Sequence, residues 1–346
     1  MIEGLGISER DLARWLDDHV YGFDGLLGVH KFATGQSNPT FRIDAKSGRY
    51  VLRAKPPGQL LKSAHMVERE YRVMAALSGS EVSVPRMYSL CPDNASPIGR
   101  AFFVMEHLEG RIFWDPALPE VPIAERGALY DAMNQTMAAL HSVNIAAVGL
   151  QDFGKPGNYF ARQCDRWSRQ YRASATKLDR DMERLMEWLA DNVPVDDNRV
   201  ALTHGDFRLD NMIFHPTKAQ VIGLLDWELS TLGHPLADLA YQCGQWRLPY
   251  DSGMRGLGGV DRAEIGLPTE SEYIARYAKR MGMDGVQDWQ FYIAFSMFRV
   301  AAILEGVVRR AQDGNASNPQ AARTYASAIP ILARMAVAEI EQSAPN

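Results

Sequence analysis

The 346-residue sequence is short of cysteine. Its three, Cys91, Cys164 and Cys243, are odd in number and far apart, and form neither a CxxC pair nor a zinc-ligand spacing. That argues against a disulfide scaffold or a zinc site and predicts a reducing, cytoplasmic setting. A cationic excess is also missing. Lys and Arg number 37 against 42 Asp and Glu, a net charge of −5. Neither nucleic acid nor an anionic membrane surface is therefore an expected partner. The acidic balance is mild and does not by itself demand a cationic substrate. No window approaches about 18 uninterrupted apolar residues, so no membrane span is expected. Met1 to Arg10 holds no basic region followed by an apolar run, and no signal peptide is expected. Internal repeats and low-complexity tracts are absent. What remains, with 46% apolar residues, suits one large or two modest domains with real cores.

Chemistry is concentrated in one stretch. Residues 202–214 read Leu-Thr-His-Gly-Asp-Phe-Arg-Leu-Asp-Asn-Met-Ile-Phe, and residues 221–228 read Val-Ile-Gly-Leu-Leu-Asp-Trp-Glu. Short apolar strands flank a polar loop that carries Asp206, then Asn211, and a second carboxylate, Asp226, ends the next strand. Phosphoryl transfer from ATP needs such a set: one carboxylate to orient or deprotonate a hydroxyl, and an amide oxygen with a second carboxylate to hold Mg²⁺.

Periodicity supplies the rest of the chain. Ser8 to Asp18 predicts a short capped helix with Leu12, Trp15 and Leu16 on one face. Strands are predicted at 29–33, 40–44, 49–55, 84–91 and 100–106. Ala64 to Leu77 predicts an amphipathic helix. The loop Thr34 to Pro39 lies between the first two strands and holds Gly35 alone, with Ser37 and Asn38 as donors a phosphate oxygen can use. Alternation puts Arg53 and Lys55 on one side of the third strand, opposite Leu52 and Ala54. From Ile123 the pattern turns helical: 124–141, 158–176, 180–192, 272–283, 288–311 and 318–340. Leu248 to Gly266 is glycine-rich and irregular, and is expected to be a mobile, substrate-facing loop.

These motifs resemble the catalytic loop H-x-D-x-x-x-x-N of kinases followed by D-F-G, in the form found in the aminoglycoside phosphotransferase and choline kinase family. There Gly205 stands for Arg, and Asp-Trp-Glu for Asp-Phe-Gly. The strings Gly-Gln-Ser-Asn-Pro-Thr, Leu-Arg-Ala-Lys-Pro-Pro-Gly, Val-Glu-Arg-Glu-Tyr-Arg-Val and Leu-Asp-Trp-Glu-Leu-Ser-Thr-Leu-Gly are similar to the phosphotransferase-like domains fused to acyl-CoA dehydrogenases in animals. The match covers about Leu27 to Tyr241.

The resemblance implies an α+β, protein-kinase-like two-lobe fold. Residues 1–106 form a small lobe, a five-stranded antiparallel sheet plus one helix. Residues 107–346 form a mainly helical lobe around a small two-stranded core. It further implies Asp206 as catalytic base and Arg208 as the neutraliser of the transferred phosphoryl. Asn211 and Asp226 are implied as Mg²⁺ ligands. Arg53, or alternatively Lys55, would hold the ATP phosphates, paired with Glu70 or its competitor Glu68. Adenine would bond the Glu106 carbonyl and the Leu108 amide. Asp238 would brace the catalytic loop through backbone donors, and His141 would cap or pack. Three functions stay in view. The first is an ATP/Mg²⁺-dependent kinase of a small-molecule hydroxyl, a hydroxy acid or hydroxyacyl-CoA by analogy with the fused neighbour. The second is a nucleotide-binding pseudokinase or accessory partner of acyl-CoA metabolism. A flavin dehydrogenase is the third, and no segment reads as the all-helical flavin domain. The filled base and metal positions favour the first.

Overall fold

Strict alternation builds the first part of the chain. In residues 40–45 Phe41, Ile43 and Ala45 are buried while Thr40, Arg42 and Asp44 are partly exposed. This is the period-two pattern of a strand with one face on a core. The structure, a computed structural model, describes residues 1–32, 38–57, 66–252, 254–313 and 319–342. It opens with α1 (Glu9–His19), β1 (Leu26–Lys31), β2 (Thr40–Ala45), β3 (Gly48–Ala54), α2 (Val67–Ala76), β4 (Met87–Cys91) and β5 (Phe102–Glu106). Then come α3 (Ile123–His141), α4 (Tyr159–Ser174), α5 (Arg180–Asp191), β6 (Ala201–Thr203), β7 (Met212–Phe214), β8 (Val221–Leu224) and β9 (Thr231–Gly233). The remainder is α6 (Leu236–Arg247), α7 (Glu270–Arg280), α8 (Trp289–Gln312) and α9 (Pro319–Glu341).

By contact the chain divides into two compact units. One comprises Met1–Arg111, Val148–Leu150 and Met212–Leu229. The other comprises Ile112–Ala147, Gln151–Asn211 and Ser230–Asn346. The sequence divides at 106/107 by element type, whereas contact groups the 212–229 segment with the sheet.

In the first unit β1 to β5 form a five-stranded antiparallel sheet in the order β1-β2-β3-β5-β4. Both helices read in this part of the sequence are present, one on each face of the sheet. Ser8 caps α1 by accepting the Asp11 N–H at 3.1 Å. The helix then packs Leu12, Trp15 and Leu16 against Phe41, Ile43, Tyr50, Leu52, Phe102 and Val104. The Trp15 ring meets Phe102 edge-on at 4.6 Å, a favoured aromatic geometry. On the opposite face α2 lies over β4 and β5, with Tyr71 against Phe103. Arg53 points to this second face because it alternates with Leu52 and Ala54. The hairpin of β7 and β8 also belongs to this unit.

The second unit is mainly helical. It contains a ladder of β6 with β9, whereas the short strands read after the catalytic loop, β7 and β8, pair with each other in the sheet unit. β9 has only three residues, too few to show a period, and α6 was likewise unread. Ten of the twelve residues of α6 are buried, so it has no polar face for a helical period to mark. α8 has no long uninterrupted apolar run, yet on length and mean composition it is apolar enough to cross a membrane. It is instead a core helix, with 72% of that window buried, packed against α4, α6 and α9.

Phe102 is fully buried between β3 and α1. Replacing it with Ala leaves a cavity, and the expected cost is about 3–5 kcal/mol. Denaturant titration followed by near-ultraviolet signals checks this as a fall in midpoint. An unchanged midpoint would refute the packing described for α1 on the sheet.

Candidate active site

The loop from His204 to Asn211 is held by its backbone. Gly205 has φ +83°, a left-handed conformation that Gly adopts without the clash a Cβ brings. That is the physical reason Gly stands there. The turn sends the N–H groups of His204 and Gly205 toward one buried carboxylate. Asp238, in the first turn of α6, accepts them at 2.6 and 2.8 Å. The Gly205 carbonyl accepts from the buried Arg299 at 3.0 Å. His141 Nε2 bonds Asp238 at 3.2 Å and its Nδ1 bonds the Tyr277 hydroxyl at 2.7 Å. So His141 packs and orients a carboxylate.

Asp206 emerges from this brace with both oxygens engaged. Its Oδ1 pairs with Arg208 Nε at 3.1 Å and accepts the Tyr241 hydroxyl in a short bond. Its Oδ2 accepts from Asn211 Nδ2 at 3.0 Å. Burial works against the charge, but the Arg208 cation and the Tyr241 hydroxyl, with smaller help from Asn211, hold the carboxyl below its ordinary range. Burial and the Asp206 charge push the Tyr241 phenol well up, so it remains a donor. Asn211 also donates to the Asp206 carbonyl at 2.9 Å. With its NH₂ turned to Asp206, the amide oxygen is the atom Asn211 can offer a cation. Arg208 continues to Asp210 at 3.2 Å. Tyr241 is a residue the sequence did not flag. It lies three positions after Asp238 on α6, so the spacing points to it once the segment is known to be helical.

In the sheet unit a second cluster forms. Arg53 Nε lies 3.0 Å from Glu70 Oε2, and its NH₂ group donates to Asp226 Oδ1 at 2.7 Å. Asp226 has φ +63°, which aims its side chain back from the end of β8. Such a conformation is uncommon outside Gly and best tolerated by Asn and Asp. Burial above all, with the Asp226 and Glu228 charges and against the pull of Arg53, pushes Glu70 up to about 8. Burial also weighs against the Arg53 charge, but the three carboxylates more than offset it and Arg53 keeps its proton. Oxygens of Glu70, Asp226 and Glu228 lie within 4.8 Å of one another. This is a hard-oxygen donor set whose mutual repulsion a divalent cation would relieve.

The two sequence alternatives separate here. Arg53 with Glu70 joins this cluster, while Lys55 goes to Glu68 at 2.5 Å and Asp93 at 2.7 Å. Asn38, read as a phosphate donor, is buried and donates to Glu70 Oε1 at 2.9 Å. Ser37 lies outside the described residues. Glu106 ends β5, its side chain accepting the Arg86 N–H at 3.1 Å. Leu108 follows outside any element, its methyl filling the space beside Gly223, where a Cβ would approach it to 2.4 Å.

Asp238→Asn leaves one oxygen where two serve the loop amides, at a cost of about 1–3 kcal/mol. The group also has a pH signature. Despite burial, the His141 bond and the loop amides hold its folded pKa below the ordinary 3.8, so there the unfolded chain binds more protons. The stability it contributes is present above that value and lost as pH falls through the folded pKa. Chemical denaturation of both proteins between about pH 2 and 6 should give a flatter acid limb for Asp238→Asn. Parallel curves would show that Asp238 does not carry this charge.

Comparison with known proteins follows the geometry. A profile of the "Phosphotransferase enzyme family" matches residues 28–276. "Acyl-CoA dehydrogenase family member 10" of Mus musculus is 48% identical over 306 residues, which cover 86% of this chain and 28% of that protein. "Acyl-CoA dehydrogenase family member 11" of Homo sapiens is 41% identical over 316 residues, covering 90% of this chain and 40% of that one. The chain thus spans between about a quarter and two-fifths of the length of these relatives. A crystal structure provisionally assigned as an aminoglycoside phosphotransferase, from Ralstonia eutropha, superposes with TM-score 0.87 at 46% identity, covering 97% of this chain and 98% of that one. A thermostable mutant of aminoglycoside phosphotransferase APH(4)-Ia, in ternary complex with ADP and hygromycin B, gives TM-score 0.63 at 14% identity, covering 98% and 99%. That second likeness is one of fold. With a family profile over most of its length and the catalytic-loop residues braced as described, this chain belongs to the phosphotransferase enzyme family and has its protein-kinase-like fold.

Proposed function

We propose that the protein is an ATP- and Mg²⁺-dependent phosphotransferase acting on the hydroxyl of a small molecule, a hydroxy acid or a hydroxyacyl-CoA. One observation carries the reading: Asp206 is an ionised carboxylate fixed by Arg208, Tyr241 and Asn211 on a loop that Asp238 locks by its backbone. A general base must be ionised at working pH and must not wander. Oδ1 is taken up by Arg208 and Tyr241, while Oδ2, bonded to Asn211, keeps a lone pair for the acceptor hydroxyl. Asp206 orients the acceptor hydroxyl and takes its proton. Arg208 neutralises charge on the transferred group. Asn211 through its amide oxygen, and Asp226 through its carboxylate, are the Mg²⁺ ligands in this reading. Arg53, set by Glu70, is the cation for the nucleotide phosphates, with Lys55 as its alternative, and Ser37 and Asn38 are phosphate donors. The Glu106 carbonyl and Leu108 amide receive the adenine. The triphosphate with its metal supplies the transferable phosphoryl group and the positive charge that stabilises it in flight. The acyl-CoA dehydrogenase names of the relatives support an acceptor, or a functional partner, from acyl-CoA metabolism.

Asp206→Ala should lower ATP-dependent product formation at least ~10²-fold with little change in nucleotide affinity, followed by coupled ADP release and by calorimetry. In the wild type, kcat/KM should hold level down to about pH 5, since Arg208 and Tyr241 hold the Asp206 carboxyl below its ordinary range despite burial. Retained turnover in Asp206→Ala sinks the base assignment. ATP binding with no turnover over a broad hydroxyl panel supports an accessory, pseudokinase role instead.

A further inference from the structure

Beside the catalytic loop the helical unit holds a small cleft that is open to solvent. Trp114, Trp246, Gln242, Gln245, Arg208 and Arg255 are among its walls. Arg208 also touches Asp206, so the cleft lies one side chain away from the proposed base. Asp210 is the one carboxylate among the described residues that line it, and it is already shared by Arg208 and Arg255. Asp206 balances Arg208 in turn, so the charges cancel in sum, and Arg255, the more exposed of the two guanidinium groups, is the cation the cleft presents.

Arg255 is built into place. Its backbone has φ +58°, a conformation that non-glycine residues keep only where surroundings impose it, most often at binding sites. The imposing bonds are visible. Leu257 N–H reaches the Trp246 carbonyl and Gly258 N–H the Leu248 carbonyl, both at 2.8 Å, and Tyr250 N–H reaches the Gly258 carbonyl at 3.1 Å. The Tyr250 hydroxyl ties the loop to Asp115 at 2.8 Å. Gly256 lies so close that a Cβ would sit 1.8 Å from the Leu248 carbonyl oxygen, so only Gly fits after Arg255. The guanidinium is then stacked 4.8 Å over the Trp114 ring. The segment expected to be mobile is pinned to the end of α6 and presents one oriented cation.

A planar cation with five donors, one edge on Asp210 and one face on an indole, retains N–H groups for a second oxyanion. Two indoles and two primary amides beside it suit an acceptor with a short apolar stem. A polyamine or amino sugar meets the Arg255 charge and a carboxylate that is already neutralised. We infer that Arg255 is the specificity-determining residue for the acceptor, reading a carboxylate or phosphate oxyanion on the molecule whose hydroxyl faces Asp206. The assignment rests on the phosphotransferase reading for the hydroxyl but not for the oxyanion, and its test uses binding without nucleotide.

Calorimetric titration of the full chain with 3-hydroxybutyrate, its methyl ester, 3-hydroxybutyryl-CoA, coenzyme A and kanamycin separates the cases. The expected result is an oxyanion probe binding about tenfold tighter than the methyl ester, the size of one charge-assisted bond. Added salt should narrow this gap. Arg255→Gln should remove it and Arg255→Lys keep most of it, with thermal midpoints near wild type. Should Arg255→Gln not fold, the lysine variant and the salt series decide. Binding of the free acid assigns the carboxylate as the group read. Binding of coenzyme A and its ester alone assigns the phosphate. Equal affinity for acid and ester with no coenzyme A binding, a preference untouched in Arg255→Gln, tightest binding of kanamycin, or no binding by any oxyanion probe at millimolar concentration would each overturn the inference. None of these outcomes depends on phosphoryl transfer, so a failure of Asp206 as base would appear separately.

Discussion

The Asp238 carboxylate, buried on α6, is the constraint on which the catalytic loop depends. A backbone turn with a positive φ at Gly205 directs two adjacent N–H groups the same way, and in a protein interior neither can be left unpaired. One ionised carboxylate takes both, and His141 with Tyr277 satisfies what remains. Arg299 grips the same peptide from its carbonyl side. The loop is therefore fixed at the backbone before any side chain of Asp206, Arg208 or Asn211 is considered. Those side chains then hold one another, so the position of the Asp206 carboxylate follows from a buried ion a few residues along α6.

The sheet unit solves a different electrostatic problem. It gathers Glu70, Asp226 and Glu228 around one buried arginine. Burial above all, with the Asp226 and Glu228 charges beside it, raises the Glu70 carboxyl. Arg53 offsets part of that cost, and a divalent ion with a phosphate would rearrange the balance rather than create it. The left-handed backbone at Asp226 belongs to the same arrangement, since it bends the chain at the end of β8 so that the carboxylate meets Arg53.

Much of this was legible because the chemistry is local in sequence. Asp206, Arg208 and Asn211 fall within six consecutive positions, and the alternation of β2 and β3 sets the side of the sheet on which Arg53 stands. Which acid each of Arg53 and Lys55 pairs with was not legible, because two cations one pleat apart share a face by period alone. In the structure Glu70 takes Arg53 and Glu68 takes Lys55. α6 and β9 escaped notice for opposite reasons. The first is buried all round and shows no amphipathic stripe; the second is three residues long. With α6 went Tyr241, whose role is visible only when its helix is placed beside the loop.

By itself the sequence determined the family, the sheet and its helices, and the identity of the polar residues on the catalytic loop, because each of these is written in short-range spacing. Tertiary structure alone decided which partner each charge takes: Asp238 for the loop amides, Tyr241 for Asp206, Glu70 rather than Glu68 for Arg53, and Trp114 with Asp210 for Arg255. The physical reason is that a periodic pattern fixes the direction of a side chain from its own backbone. The charge it meets comes from an element tens to more than a hundred residues away.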